Sequence, residues 1–336
     1  MTDQIGVIGA GAWGTTLAIR LADAERPVSL WAHTTESAEV LAHHRENRRY
    51  LPGIFFPPNV RVVTDDAFLA EPHRLFVIAV PSEHLRNTLA RLAARLAPDA
   101  ALLSVVKGIE RGTHLRPSEV IDNELPGRRV GVLSGPNLAR EIAAGRPAGS
   151  VIASTDGDLA ADLAALLSDE RFRVYTNADV IGVELGGALK NVVALAAGMV
   201  DGLRLGDSAK AGIITRGLAE ITRLGVAAGA NPLTFAGLAG VGDLIATCMS
   251  PLSRNRTAGE LIASGVPWSE AEAKLTGIAE GVATVNGALE LAAAHSVEMP
   301  IAEQVQAVVH AGQPPLAAVA ELMSRDLKDE MAADRR

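Results

Sequence analysis

Two lysines stand where their side chains could take part in proton transfer. Lys190 follows Gly186 and Gly187 by four and three residues in an apolar stretch, so on a helix all three share one face. We expect the Lys190 amine to be partly buried over a groove without side chains. Desolvation and a second cation such as Lys107 would lower its pKa towards that of an acid/base catalyst. The alternatives are that Lys190 snorkels from an apolar helix and that Lys107 is an ordinary surface residue.

A carboxylate and a predicted anion site follow these lysines along the chain. The glycine-rich turn at 237–243 lacks the Gly-Lys-Ser/Thr ending of a P-loop, so its distinctive group is the carboxylate of Asp243. Ser253, Arg254 and Asn255 precede a predicted short helix at 257–263. A guanidinium, amide donors and free helix N–H groups together favour a phosphate ligand. The alternative is a plain N-cap with solvated arginines.

A glycine turn near the N-terminus predicts a dinucleotide site. An apolar run from Ile5 meets Gly9, Gly11 and Gly14, and a helix-forming segment at 15–24 follows. In a strand–turn–helix unit the first glycine makes the turn, the second lets a pyrophosphate approach, and the third lets helix and strand pack. The helix N-terminus offers its N–H groups to the phosphates. The alternative is a glycine turn without a ligand.

The end of the next predicted strand, 27–31, bears on cofactor choice. An NAD site usually places Asp or Glu there to bind the ribose hydroxyls. This strand continues instead into Ala32, His33, Thr34 and Thr35. No carboxylate would repel a 2′-phosphate, and His33 could help to bind one, so we favour NADPH over NADH. The alternative is that His33 is merely an exposed loop residue.

The elements that would position these groups predict an α/β fold. Further strands are expected at 61–64, 75–80, 101–106, 130–133, 149–153 and 172–176, which makes eight strands that alternate with helices in a mostly parallel sheet. Lys107 then lies just past the end of a strand, where ligands of parallel sheets bind. From residue 180 only alanine-rich helical patterns remain. We therefore predict a Rossmann domain at 1–178 and an all-helical substrate domain at 179–336, with a frayed tail at 332–336.

Composition narrows the class of protein. The chain has 336 residues, 48% of them hydrophobic and only 3% aromatic, and a net charge of −8. The low aromatic content and the negative net charge argue against nucleic-acid binding. The single cysteine, Cys248, fits a reducing cytoplasm. The N-terminus lacks the basic region of a secretory signal, and no stretch approaches the roughly 20 apolar residues of a membrane span.

Taken together, the motifs resemble those of the prokaryotic type of NAD(P)-dependent glycerol-3-phosphate dehydrogenase over nearly the whole chain. The matching segments are Gly-Ala-Gly-Ala-Trp-Gly-Thr at 9–15, Tyr-Leu-Pro-Gly at 50–53, Lys-Gly-Ile-Glu at 107–110, Ser-Gly-Pro-Asn at 134–137, Glu-Leu-Gly-Gly-Ala-Leu-Lys-Asn at 184–191, Gly-Val-Gly-Asp-Leu at 240–244, Ser-Arg-Asn-Arg at 253–256 and Glu-Gly at 280–281. Each is weak alone, and their order and spacing make the resemblance specific.

The resemblance implies roles for particular residues. Lys190 would be the general acid/base. The residues placed around the substrate are Lys107, Gly135, Asn137, Asp243, Ser253, Arg254 and Asn255. Those placed against the cofactor are Ala12, Trp13, His33, Ala139 and Glu280, with Lys107 and Arg254 reaching it too. Two positions depart from the family pattern: Asn137 stands where serine is common, and Leu138 where phenylalanine is common.

The implied reaction is the reversible reduction of dihydroxyacetone phosphate to glycerol 3-phosphate, which supplies phospholipid synthesis. Arg254 and Asn255 would hold the phosphate, Lys107 would stabilise the developing negative charge, and Asp243 would orient the lysine or a substrate hydroxyl. No metal is expected, and an apolar helical domain would allow a homodimer. The rival interpretations are a related reductase of a carboxylate substrate, of the ketopantoate or β-hydroxyacid type, and a non-catalytic dinucleotide sensor.

Overall fold

A computed structural model of the chain describes residues 4–23, 26–64, 68, 72–93, 96–327 and 329–330. Eight strands form one sheet in the order β3-β2-β1-β4-β5-β6-β7-β8. They are β1 Ile5–Ile8, β2 Val28–Trp31, β3 Val60–Val63, β4 Leu75–Ile78, β5 Ala101–Ser104, β6 Val130–Ser134, β7 Ala148–Ala153 and β8 Phe172–Asn177. The pairing of β6 with β7 is antiparallel and the other pairings are parallel. The predicted eight-stranded, mostly parallel sheet is confirmed.

The strand order places the chemistry at one edge of the sheet. The chain runs outward from β1 to β3 on one side and from β4 onward on the other, so the order reverses between β1 and β4. Ligands of such sheets bind beyond the carboxyl ends of the strands at this reversal. The glycine turn follows β1, Lys107 follows β5, and Gly135 follows β6. Since these strands are parallel, the three groups share that edge.

Among the described residues, six helices accompany the strands and nine follow them. The first six are α1 Ala12–Asp23, α2 Thr35–His44, α3 Leu85–Leu92, α4 Pro117–Glu124, α5 Ala139–Ala143 and α6 Gly157–Leu167. The later ones are α7 Val180–Gly202, α8 Asp207–Ala227, α9 Pro232–Phe235, α10 Asp243–Met249, α11 Arg254–Ala263, α12 Trp268–Lys274, α13 Glu280–Ala294, α14 Pro300–Ala311 and α15 Pro315–Met323. In the part of the chain that the structure describes, no residue after β8 belongs to a strand, as predicted.

Several predicted helix bounds need correction. The first helix begins at Ala12 instead of residue 15, and α11 begins at Arg254 instead of residue 257. In α11 the reason is local, because the Ser253 side chain accepts a hydrogen bond from the Arg256 N–H and thereby caps the helix. Residue 24, at the end of the first predicted helix, and the predicted frayed tail at 332–336 lie outside the described residues.

Helix α7 is the centre of the helical part, and its glycines let other chain segments approach it. A Cβ at Gly186 would lie 2.6 Å from the Ala239 carbonyl oxygen, and one at Gly187 would lie 2.5 Å from Ser134 Oγ. A Cβ at Gly198 would lie 3.0 Å from the Cα of Arg256 in α11. The predicted close approach is confirmed. The expected groove without side chains beneath Lys190 is wrong, because the Ser134 side chain lies against Gly187.

This packing predicts opposite effects for two glycine-to-alanine substitutions. Gly186→Ala should lower the free energy of unfolding by about 1–3 kcal/mol, because the added methyl group meets backbone that must move. Gly212→Ala is the matched control. Gly212 lies exposed in α8, and a Cβ there would meet no atom within 4 Å in the described part of the chain. Alanine should therefore stabilise the protein by up to about 1 kcal/mol through helix propensity. Urea denaturation of both variants measures the difference, and shifts of the same sign would contradict this account of the packing.

Two helical stretches are long and apolar enough to cross a membrane by length and composition, Val180–Gly202 and Pro232–Met249. This corrects the expectation that no stretch approaches that length. The apolar window of the first is 89% buried inside the protein, and that of the second is 44% buried. The second is also interrupted at Gly240, whose backbone is not helical. Core helices pass the same test, so these two stretches are weak evidence for a membrane span.

Candidate active site

The three charged residues singled out in the sequence form one hydrogen-bonded cluster. The Lys190 ammonium donates to Asp243 Oδ1 at 2.6 Å, and the Lys107 ammonium donates to Asp243 Oδ2 at 2.7 Å. Lys107 also donates to the Gly135 carbonyl oxygen at 3.0 Å. The Asp243 side chain is 2% exposed and that of Lys190 8%, whereas that of Lys107 is 16% exposed. One buried carboxylate thus bridges two ammonium groups from different parts of the fold.

A distorted turn brings Asp243 to this position. Residues 238–242 form a π-helical turn, in which Gly240 has non-helical angles of φ −96° and ψ −105°. A side chain at Gly240 would collide with the Phe235 backbone. Asp243 is the first residue of α10, and Thr247 lies one turn later on the same face. The Thr247 hydroxyl accepts a hydrogen bond from Lys190 at 2.6 Å. The turn and the helix therefore supply two oxygen ligands to one amine.

The surroundings of Lys190 tune its amine for proton transfer. Burial lowers the pKa of Lys190 to about 8; the negative charge of Asp243 opposes this shift and the positive charge of Lys107 adds to it. An ammonium group has three donors, and Asp243 and Thr247 take two of them. The third is left for a ligand oxygen. A pKa near 8 suits an acid that works near neutral pH.

A chain of amides connects this cluster to the start of α13. Asn191 Nδ2 donates to the Lys107 carbonyl oxygen at 3.3 Å, and Asn255 Nδ2 donates to Asn191 Oδ1 at 2.9 Å. Asn255 Oδ1 accepts from the Gly281 N–H at 2.9 Å. Asn255 is buried within α11, and these bonds leave it one amide hydrogen and one lone pair for a ligand. The chain ties α7, α11 and α13 together around the site.

Glu280 is the first residue of α13 and a buried carboxyl group. Burial raises the pKa of Glu280 to about 7, against the lowering effects of Arg254, Lys190 and Lys107. Its Oε2 has no hydrogen-bond partner among the described residues, and a Cβ at Gly108 would lie 3.4 Å from it. Glu280 therefore lies beside the segment that carries Lys107. An unpartnered buried oxygen at this place can accept a hydrogen bond from a ligand.

The start of α11 differs from the sequence prediction in its details. Arg254 and Asn255 belong to the first turn of the helix instead of preceding it, and Ser253 is its N-cap. Arg254 is exposed, and a Cβ at Gly277 would lie 2.8 Å from Arg254 Nη1 and 3.4 Å from Tyr50 Cε1. Gly277 has a φ of +105°, which a residue with a side chain rarely adopts. The guanidinium group thus lies against a loop with no side chain at that point.

The N-terminal glycine turn has the shape that a pyrophosphate requires. Gly9 has a φ of +114°, and a Cβ there would lie 2.6 Å from the Ala79 carbonyl oxygen. A Cβ at Gly14 would lie 3.0 Å from that of Ala79. Among the described residues, no atom lies within 4 Å of the Cβ position at Gly11. Two glycines therefore permit close packing and the middle one leaves open space, as the three predicted roles require.

Other predicted cofactor contacts lie around this turn. Ala12 and Trp13 begin α1, and the Trp13 indole nitrogen is buried without a partner among the described residues. Ala139 begins α5, and its carbonyl oxygen accepts from Thr16 Oγ1 at 3.1 Å, which joins α5 to α1. His33 is exposed in the loop after β2. These residues fit a dinucleotide that extends from β2 across the glycine turn.

The structure also reveals site residues that the sequence prediction missed. Thr247 binds Lys190, and Asn191 links Lys107 to Asn255. Asn47 Nδ2 donates to the Ala10 carbonyl oxygen and to Thr15 Oγ1, at 3.0 and 2.8 Å, and so supports the glycine turn from outside. The spacing of Asp243 and Thr247, four residues apart at a helix start, is a signal that could have found Thr247. The partner of Asn47 is 32 residues away in the chain and has no such local signal.

A Rossmann-like sheet with this glycine turn, followed by helices that deliver a buried lysine and carboxylate, defines an NAD(P)-dependent dehydrogenase. Residues 4–160 match the family described as NAD-dependent glycerol-3-phosphate dehydrogenase N-terminus, and residues 179–320 match the corresponding C-terminus family. The chain belongs to the NAD-dependent glycerol-3-phosphate dehydrogenase family. The resemblance inferred from the motifs is thereby confirmed.

Individual relatives agree over nearly full length. The chain is 51% identical to glycerol-3-phosphate dehydrogenase [NAD(P)+] of Thermobifida fusca over 330 residues, which is 97% of this chain and 98% of that protein. It is 50% identical to that of Streptomyces avermitilis, with the same coverage. The crystal structure of glycerol-3-phosphate dehydrogenase from Coxiella burnetii superposes with a TM-score of 0.93 at 38% identity and covers 96% of this chain and 99% of that one. A ketopantoate reductase from Ralstonia eutropha, at 17% identity and a TM-score of 0.60, shares the fold alone.

Proposed function

We propose that this protein reduces dihydroxyacetone phosphate to sn-glycerol 3-phosphate with NAD(P)H, and catalyses the reverse oxidation. The observation that carries the proposal is the Lys190–Asp243–Lys107 cluster, in which a buried acid keeps one free donor. Lys107 of this cluster follows β5, at the edge of the sheet where a dinucleotide would bind. The names of the full-length relatives support the substrate. The product would supply glycerophospholipid synthesis.

The phosphate of the substrate is assigned to the start of α11. Arg254 supplies an exposed guanidinium group, and the first N–H groups of this ten-residue helix add their partial positive charge. Ser253 and Asn255 border the same turn. With the phosphate held there, the ketone would extend towards Lys190, and Gly135 and Asn137 would line the other side. The two remaining predicted substrate residues, Lys107 and Asp243, would act on the reacting centre.

The chemistry of the protein side chains follows from their arrangement. The bound cofactor supplies a hydride to the ketone carbon. Lys190 donates its third N–H to the ketone oxygen and transfers that proton as the oxygen becomes an alkoxide. Lys107 holds positive charge next to the same oxygen and so stabilises the transition state. One well-placed donor typically contributes about 3–4 kcal/mol to this stabilisation. Asp243 keeps both ammonium groups in place, and the chemistry needs no metal because these two lysines supply the positive charge.

The cofactor is assigned to the glycine turn and the residues around it. Gly9, Gly11 and Gly14 with the start of α1 would hold the pyrophosphate, and the orphaned Trp13 and Glu280 atoms would each meet a polar group of the cofactor. Ala12 and Ala139 border the same space. The absence of an acid at the end of β2 favours NADPH, with His33 near the 2′-phosphate.

We further propose that residues 1–178 and 179–336 are separate domains. We expect the protein to be cytoplasmic, without a membrane span, and its helical part to support a homodimer.

The pKa of Lys190 predicts how the rate depends on pH. Reduction needs the protonated amine, so kcat/KM for dihydroxyacetone phosphate should be constant up to about pH 8 and fall about tenfold per unit above it. Oxidation of glycerol 3-phosphate needs the neutral amine, so its rate should rise through the same pH and then level off. Both profiles are measured above about pH 6.5, where the substrate phosphate is a dianion. Profiles that change in the same direction would contradict the role of Lys190.

A comparison of ketone substrates distinguishes this function from its rivals. Dihydroxyacetone phosphate should be reduced, and ketopantoate and simple β-ketoacids should not, because Arg254 and the start of α11 form the anion site for a phosphate. Inorganic phosphate and glycerol 3-phosphate should compete with the ketone. Turnover of a carboxylate substrate instead would favour the rival reductase. Binding of NADPH without turnover of any ketone would favour the sensor.

A further inference from the structure

The turn at 134–137 contains two buried polar atoms without partners. Ser134 Oγ and Asn137 Nδ2 are both shielded from water and have no hydrogen-bond partner among the described residues. Ser134 is only 3% exposed. An unsatisfied buried donor or hydroxyl destabilises a folded protein by about 1–3 kcal/mol, so such groups in a native structure call for an explanation. Two of them in one four-residue turn point to a ligand.

Ser150 holds this turn and orients the Asn137 amide. It is fully buried in β7, and its hydroxyl hydrogen is shared between the Ser134 carbonyl oxygen at 2.8 Å and Asn137 Oδ1 at 3.2 Å. A Cβ at Gly135 would lie 3.0 Å from the Ser150 Cα, so turn and strand pack closely. Because Oδ1 is fixed at Ser150, the Nδ2 end of the amide points away from β7.

Ser134 Oγ lies beside the reacting cluster, and Asn137 lies three residues later in the same turn. A Cβ at Gly187 would lie 2.5 Å from Ser134 Oγ and 3.6 Å from Lys107 Cγ. The Gly135 carbonyl oxygen accepts from the Lys107 ammonium. The phosphate of the substrate is assigned to Arg254, which lies on a different element, α11. The turn at 134–137 is therefore available for the opposite end of the ketone, which in dihydroxyacetone phosphate is a hydroxymethyl group.

We propose that Ser134 and Asn137 bind the free hydroxyl of dihydroxyacetone phosphate, and that Ser150 is the positioning residue that aims the Asn137 amide at it. The proposal rests on the proposed function. A hydroxyl group both donates and accepts, so it can accept from Asn137 Nδ2 and donate to Ser134 Oγ. Both orphaned atoms are then satisfied by one ligand group. The asparagine at position 137 serves this purpose because, unlike a shorter serine, it reaches Ser150 with one end and the ligand with the other.

The test compares two ketones that differ only in this hydroxyl. Acetonyl phosphate has the same phosphate and ketone as dihydroxyacetone phosphate, with a methyl group in place of the hydroxymethyl group. A site built to bind a hydroxyl discriminates strongly against an analogue that lacks it. We expect kcat/KM of the unmodified enzyme to favour dihydroxyacetone phosphate by about 10²-fold or more. Ser150→Ala should reduce this preference about tenfold, and Asn137→Leu, which keeps the volume and removes the amide, should reduce it further.

Ser154→Ala is the matched control. Ser154 is 2% exposed, follows β7 and donates to the Val130 carbonyl oxygen at 2.7 Å, so it has a buried serine hydroxyl without the link to Asn137. Its substitution should leave the preference between the two ketones unchanged. If Ser150→Ala does not fold, Asn137→Leu tests the same hydroxyl contact without changing β7.

Two results would overturn the proposal. One is an unmodified enzyme that reduces both ketones equally well. The other is a loss in Ser150→Ala and Asn137→Leu that is equal for both ketones, which would show that these residues act on the fold alone. An enzyme that reduces neither ketone would refute the proposed function itself, so the two failures are distinguishable.

Discussion

Lys190→Ala is expected to reduce kcat/KM for dihydroxyacetone phosphate by about 10⁴-fold, the upper range for the loss of a general acid. The amine is the group of this site with both a pKa near 8 and a donor left for a ligand. Its interaction strengthens as the ketone oxygen gains charge, so the loss should appear mainly in kcat. The dissociation constant of NADPH, measured by fluorescence titration, should stay nearly unchanged.

Lys210→Ala is the matched control for this variant. Lys210 is a second buried lysine, 7% exposed, whose ammonium donates to Asp201 Oδ2 at 2.7 Å, outside the Asp243 cluster. Its loss removes a buried charge from an ion pair, as Lys190→Ala does. Turnover of Lys210→Ala within about tenfold of the unmodified enzyme would show that the Lys190 effect is chemical. A folded Lys190→Ala variant that has lost NADPH binding would contradict the assigned role.

Asp243→Asn is expected to lower kcat by about 10³-fold and to change the pH profile. The carboxylate lies between the two ammonium groups at 2.6 and 2.7 Å. Its negative charge opposes the lowering of the Lys190 pKa, whereas Lys107 promotes it. Without that charge the pKa of Lys190 should fall further. The rate of reduction should then begin to fall well below pH 8, because less Lys190 is protonated at a given pH.

Asp201→Asn provides the control for the carboxylate. Asp201 Oδ2 also bridges two cations, accepting from Lys210 Nζ and Arg256 Nε at 2.7 Å each. Asp201→Asn should destabilise the protein without moving the pH at which the rate falls. Steady-state rates from about pH 6.5 to about pH 10 for both variants make the comparison. A pH profile of Asp243→Asn that matches the unmodified enzyme would remove Asp243 from the proton chemistry.

Local sequence patterns predicted the parts of the site that depend on local backbone geometry. The spacing of Gly9, Gly11 and Gly14 predicted the turn because each steric requirement lies within one strand–turn–helix unit. The position of Lys107 followed from the rule that parallel strands end at one edge. The glycines of α7 predicted that another part of the chain approaches the helix closely. They did not predict which part, because the segment that packs there, such as the one containing Ala239, is distant in the sequence.

The hydrogen-bond partners within the site could not be predicted in the same way. Asp243 was expected to orient a lysine or a substrate hydroxyl. In the structure it bridges Lys190 and Lys107, which lie 53 and 136 residues before it in the chain. Only the tertiary fold brings these three side chains together. Helix α11 starts three residues before the predicted position, because the Ser253 side chain caps it at Arg254. The lack of hydrogen-bond partners for Ser134 Oγ and Asn137 Nδ2 could not be predicted either, because it depends on how the turn packs against strand β7 and its residue Ser150.

The initial rate of NADPH oxidation with dihydroxyacetone phosphate measures the proposed reaction itself. The purified enzyme should oxidise NADPH and form one glycerol 3-phosphate per cofactor consumed, and the parallel assay with NADH gives the preference assigned to the end of β2. Lys190→Ala in the same assay should show almost no rate. Tight binding of NADPH with no oxidation in the presence of dihydroxyacetone phosphate would refute the proposed reaction.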